Sequence, residues 1–157
     1  MKRMLLYIGI LAALLAVPVE RLDVGKLHPV QVVSVSKENG WVVIQTDTGD
    51  RGIGETGEQA LKNMEETTSG VIYLDTAEYL LLSKDAEDAL TQLRTALKPK
   101  TGICYAEEGV DLKEAGKFLS AHAELPRLKE WKKGQELPVI TTFRKRLTFL
   151  KKVENNA

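Results

Sequence analysis

Three glycines in the stretch RGIGETGEQAL, Gly52, Gly54 and Gly57, fall in the spacing G-x-G-x-x-G directly ahead of a helix-forming run. That spacing suits pyrophosphate binding, because residues without side chains let backbone N–H groups approach the phosphates at the positive end of a helix. An acid about twenty residues further on would hold the ribose, and Asp75 stands at the end of the next apolar run. The charges argue the other way. Asp47, Asp50, Glu55 and Glu58 surround the motif with Arg51 alone against them, so a pyrophosphate would meet repulsion. The residues TGDR also separate the first glycine from the apolar run WVVIQTD, whereas the fingerprint places that glycine immediately after its strand. No cofactor is expected.

The same acids are hard oxygen donors. Asp47, Asp50 and Glu55, with Arg51 between them, form a candidate ligand loop across residues 47–57, with calcium as the cation such oxygens suit. Their spacing matches no EF-hand, and acids near a helix N-terminus also serve the helix itself. The tripeptide Asp47-Thr48-Gly49 is that of aspartic proteases, but that chemistry needs two carboxylates sharing a proton and only one copy is present. Cys104, the single cysteine, sits in GICYA and reads as a small buried apolar residue. His28 and His122 are isolated. Neither HExxH, CxxC, a nucleophile elbow nor a P-loop lysine occurs, so neither catalysis nor a metal centre is expected.

The elements that must position these residues follow from periodicity and punctuation. VQVVSVSKENGWVVIQTD is two β-rich runs about Asn39-Gly40, a strong hairpin signal, with strands near 30–36 and 41–47. Thr56 and Gln59 form a capping box ahead of a short helix whose stripe is Ala60, Leu61 and Met64. GVIYLD reads as a buried strand and AEYLLLS as its continuation or a second one. Ala86, Ala89, Leu90, Leu93 and Leu97 recur at helical spacing until Lys98-Pro99 stops the run. TGICYAEE is a strand, and Asp111 with Glu114 caps a helix carrying Leu112, Ala115, Phe118 and Leu119. LPVITTFRKRLTFL has strand composition, with Val139, Thr141, Phe143, Leu147 and Phe149 on apolar faces. The expected fold is α+β with an α/β-like alternation: a mixed sheet with an opening hairpin and about three helices packed on it.

Lys2 and Arg3 precede an uncharged apolar run from Met4 to Val19, and charges resume at Glu20. Residues 1–19 therefore read as an export signal, either an uncleaved anchor or a cleaved peptide, with 20–29 a linker, 30–150 one domain and 151–157 a polar tail. Basic residues at the N-terminus put the domain outside the cytoplasm, at the cell membrane if the segment is kept and secreted if it is removed. The chain has zero net charge, but residues 20–126 hold 19 acids against 11 bases while residues 127–157 hold 9 bases against 3 acids. An exported domain with an acidic body is a poor match to nucleic acid, and the basic end could rest on anionic lipid or on an acidic face.

The export segment, the lead-in ERLDVGKL, the hairpin and GDRGIGETGEQALKNMEETTSGVIYLDTAEYLLLSKDAEDAL together resemble the N-terminal domain of the C-subunits of spore germinant receptors, the germination lipoproteins of endospore formers. Thr56, Ala60, Leu61 and Met64 occupy that family's T-x-x-x-A-L-x-x-L pattern. The chain departs from the family in lacking the lipid-modified cysteine and the two later domains. The resemblance implies an exported, membrane-associated, non-catalytic domain connected with sporulation or germination. The expected function is a tethered interaction domain with membrane or envelope proteins as partners. The alternative is an extracytoplasmic protein that binds a small ligand or calcium through the loop 47–57.

Overall fold

A computed structural model describes residues 27–122, 124–143 and 146–150, so the export segment and the polar tail lie outside the described residues. The chain builds strands β1 (Leu27–Pro29), β2 (Val32–Glu38), β3 (Trp41–Thr46) and β4 (Arg51–Gly54), then helix α1 (Gly57–Thr67). Strands β5 (Val71–Tyr73) and β6 (Tyr79–Leu82) precede α2 (Glu87–Leu93), β7 (Gly102–Ala106), α3 (Leu112–His122), β8 (Val139–Phe143) and β9 (Arg146–Phe149). Seven strands form one mixed sheet in the order β4-β3-β2-β6-β7-β8-β9. The four central strands run parallel, and an antiparallel hairpin or meander closes each side. This is the expected α+β architecture.

Local signals explain much of it. Glu38 pairs with Trp41 across Asn39-Gly40, and both turn residues have positive φ, 51° and 87°, the backbone a two-residue hairpin demands. Thr56 accepts the Gln59 N–H at the start of α1, and Asp111 accepts the Glu114 N–H at the start of α3. Gln59 returns its amide oxygen to the N–H of Glu55, one residue before the cap. The apolar stripe from Ala86 to Leu97 is buried throughout, although the helix proper ends at Leu93.

Two cores lie on opposite faces of the sheet. The larger packs Val33, Val35, Val42, Ile44, Leu80, Leu82 and Ile103 of the strands against α1, α2 and the residues Leu128, Trp131 and Leu137. The smaller packs Val32, Leu81, Cys104 and Ile140 against Ala115 and Leu119 of α3. The chain therefore crosses from one face to the other between α3 and β8.

Several expectations need correction. Residues 27–29 are not linker: they pair in parallel with β5 as a separate two-stranded sheet, and β5 is exposed at Val71 and half-buried at Ile72 and Tyr73 rather than a buried strand of the main sheet. AEYLLLS instead supplies the central strand β6, because Leu80, Leu81 and Leu82 can be buried on both faces at once. LPVITTFRKRLTFL is two strands, and its fully buried residue is Ile140; Val139 and Thr141 are half-buried and Phe143's side chain lies outside the described set.

Candidate functional site

The glycine motif proves to be strand and helix contact. Gly52 and Gly54 lie on β4, which pairs antiparallel with β3, and neither has a positive φ. Helix α1 packs on their backbone: a Cβ added at Gly52 would stand 2.1 Å from the Ala60 carbonyl oxygen, and one at Gly54 2.4 Å from the Ala60 nitrogen. At Gly57 a Cβ would meet the Ala89 carbonyl oxygen of α2 at 2.8 Å. All three glycines admit a neighbouring helix. The turn freedom is supplied elsewhere, by Gly49 at φ 98° between β3 and β4.

The N–H groups of the motif are also engaged. Ile53 donates to Asn63 Oδ1 at 3.0 Å, Glu55 to Gln59 Oε1 at 3.1 Å and Gly57 to Gln92 Oε1 at 2.7 Å. A phosphate would have to displace three side-chain oxygens and then face the surrounding carboxylates. The amides of Asn63 and Gln59 do a second thing, since they occupy donors on the free edge of the sheet.

The four residues of the candidate ligand loop serve the fold separately. Asp47 Oδ1 accepts the N–H groups of Gln31 and Val32, fastening the start of β2. Asp50 accepts from Thr48 Oγ1 at 2.7 Å and Thr68 Oγ1 at 3.0 Å, joining the β3–β4 turn to the end of α1. Arg51 pairs with Glu38 at 2.7 Å across the exposed hairpin. Glu55 is exposed ahead of α1, with its backbone N–H held by Gln59. These carboxylates do not converge, and among the described residues no group of three or more His, Cys, Asp and Glu side chains is placed to hold a metal ion.

Two further titratable side chains are held protonated by their surroundings. Cys104 is fully buried on β7, and burial pushes its thiol up to about 12. Tyr105, its neighbour on the opposite face, is likewise pushed up to about 12, first by burial and then by its hydrogen bond to Glu87. Glu87 also accepts the Gly134 N–H at 2.9 Å, so this cluster ties the segment before β8 to α2. Beside it an open cleft of about 570 Å³ is lined by Lys84, Tyr105, Leu137 and Val139. His122 is exposed at the end of α3 and bonds the Phe118 carbonyl one turn back.

Two surfaces remain that periodicity did not single out. Among the described residues the core under α3 contains none from β3 or β4, and on that side Trp41 and Ile53 are 47% and 41% exposed. They flank Val43, whose cross-strand neighbours are Ile53 on β4 and Ser36 on β2. The second surface is a cavity of about 280 Å³ at the carboxyl ends of β2, β6 and β7, lined by Ser34, Ser36, Gln45, Leu81, Ala106 and Glu108 among others. The alternation of serine with valine in VVSVSKE was the available signal: a central strand with serine on every second residue has a polar stripe where a covered strand has an apolar one.

No family model matches the chain, and no curated protein or solved structure shows significant similarity to it. Among the described residues no helix is long and apolar enough to cross a membrane.

Proposed function

We propose that the protein is a non-catalytic interaction domain held at the extracytoplasmic side of the cell membrane by residues 4–19, with membrane or envelope proteins as its partners. The observation that carries this reading is the pair Trp41 and Ile53, exposed on β3 and β4 on the face where α3 packs on β2 and the other central strands. Exposed aromatic and aliphatic residues are the usual anchors of protein interfaces, where Trp is enriched among the residues that dominate affinity, and Val43 between these two is buried. The groups best suited to chemistry support the same reading: the glycine motif is filled by helix contacts, the loop acids hold backbone and hydroxyl groups, and the thiol is buried. The likeness to germination lipoproteins directs the search for partners to sporulation and germination.

A photo-crosslinking residue placed at position 41 or 53 in the native host tests this. A discrete adduct is expected at both sites and not at Lys62, an exposed residue of α1 on the other side of the sheet. Equal labelling at all three sites, or none at 41 and 53, refutes the proposed face. Cell fractionation with N-terminal sequencing tests the tether, and a mature chain beginning near Glu20 in the medium would replace anchoring by secretion.

A further inference from the structure

The strands β6 and β7 are adjacent and parallel, yet the helix after β6 packs on one face of the sheet and the helix after β7 on the other. Connections that part in this way leave a crevice between the carboxyl ends of the strands, the place where open α/β sheets receive ligands. Here the crevice holds the cavity of about 280 Å³, close to the lower limit of small-molecule sites. Its size suits a ligand of a single ring.

The lining is apolar at Leu81, Ala106 and Leu112 and polar along one wall, where Ser34 and Ser36 follow each other on β2 and Gln45 lies directly across from Ser34. All three are half-buried, and their side chains make no hydrogen bond to another described residue. Their polar atoms are not buried but open to the cavity, where they are available to a molecule that enters it. The spacing along the strand is about 7 Å and across it about 5 Å, which suits hydroxyl groups distributed around one sugar-sized ring. Asp85, Glu107 and Glu108 at the rim outnumber Lys37, while Glu38 beside them is paired with Arg51, and this balance disfavours phosphate and carboxylate ligands.

The geometry points to this crevice as a binding site for a neutral or amine-bearing polyol the size of one sugar ring. Ser34, Ser36 and Gln45 receive its hydroxyls, Leu81 and Ala106 meet its carbon face, and the acidic rim favours an ammonium substituent. Nothing in this site depends on Trp41 or Ile53, so the crevice and the partner face succeed or fail separately.

Titration of the isotopically labelled protein with glucosamine, glucose and glucuronate, followed by backbone amide shifts, decides the matter. A ligand of this size binds with a dissociation constant of about 1–10 mM. Shifts are expected at Ser34, Ser36, Gln45 and Glu107 to Gly109 with the first two sugars, and glucuronate should bind at least about tenfold more weakly, since it brings a like charge to the rim. Replacing Ser34→Val and Ser36→Val together should weaken glucosamine about tenfold with the fold intact, as two hydrogen bonds are lost and valine suits a strand. If the double variant fails to fold, Ser36→Ala read by the same titration replaces it, with a loss of about threefold expected. Absence of these shifts with glucosamine and glucose overturns the proposal, as does glucuronate binding as tightly as glucosamine, or wild-type affinity in the serine variants.

Discussion

Gly52 lies so close to Ala60 that a Cβ on the glycine would stand 2.1 Å from the alanine carbonyl oxygen. The overlap is with backbone on both sides, and neither strand β4 nor helix α1 can yield without disturbing the pairing of β4 with β3. Gly52→Ala should therefore cost about 3 kcal/mol or more, at the upper end of overpacking in a close-packed interior. Gly109→Ala is the control, because that glycine faces open space and only its φ of 81° resists a side chain, for about 1–2 kcal/mol. Urea melts of the two variants would separate packing from conformational strain; equal losses would show that β4 and α1 can part enough to admit a methyl group.

Asp47 should behave as a structural residue. Asp47→Ala removes the acceptor for two N–H groups at the entrance to β2 and should cost about 1–3 kcal/mol, since donors left half-buried lose their partner. Melting curves in calcium, in EDTA and with NAD should superimpose for wild type and variant alike, because only a ligand of the folded state raises stability. A calcium-dependent rise abolished by Asp50→Asn would restore the loop as a cation site.

Thr56→Ala and Asp111→Ala each delete the side-chain acceptor of a helix start and should each cost about 1 kcal/mol in chemical denaturation. Asn63→Ala should cost a similar amount and do something further. It frees the Ile53 N–H on the edge strand β4, so light scattering at high concentration should rise more than in the cap variants.

Alkaline titration should expose the Tyr105–Glu87 contact. The Tyr105 phenol is raised from 10.0 to about 12 in the folded state, so folded protein holds a proton that the unfolded chain has released across that interval. Its contribution is fully present below pH 10 and is lost as pH rises toward 12. The buried Cys104 thiol, raised from 9.0 to about 12, adds a fall of the same sign that begins near pH 9. Tyr105→Phe should make the decline above pH 10 shallower, leaving the part due to Cys104, which runs from pH 9 toward 12. A variant with the wild-type pH profile would show that the phenol does not carry that slope.

Trp131 is buried with its indole N–H unpaired among the described residues. Trp131→Phe gives up contact area but removes an unsatisfied donor worth about 1–3 kcal/mol, so the loss should be smaller than that of Leu128→Ala, at about 2–5 kcal/mol. Thermal denaturation of the two variants gives the comparison directly.

What could be read from the sequence was local. Asn39-Gly40, the Thr56 and Asp111 caps and the stripe from Ala86 to Leu97 each depend on residues within a few positions of one another, and each appears as its chemistry requires. The purpose of Gly52, Gly54 and Gly57 was not local. It depends on Ala60 and on Ala89 of a later helix, and a fingerprint cannot distinguish a glycine that admits a phosphate from one that admits a backbone. Strand parity in VITTF was equally hidden, because a short strand at the side of a two-faced sheet buries whichever residue meets the deeper cover, here Ile140 under α3. The crevice has no signature in any one segment, because it is assembled from β2, β6 and β7 and the turns behind them.

The passage of the chain from the α3 face to the opposite one has a consequence for how the protein comes into being. The central strands stand in the sheet in their order along the chain, so each can dock on its predecessor as it emerges. Yet Ile103 donates its N–H to Pro126, and Leu128, Trp131 and Leu137 close the larger core. Until those last residues arrive, the valines and leucines beneath α1 and α2 stay wet, and long-range contacts of this kind are slow to form. The native shape thus waits for the last part of the chain, and the larger core closes only after residues 126–137 have been made.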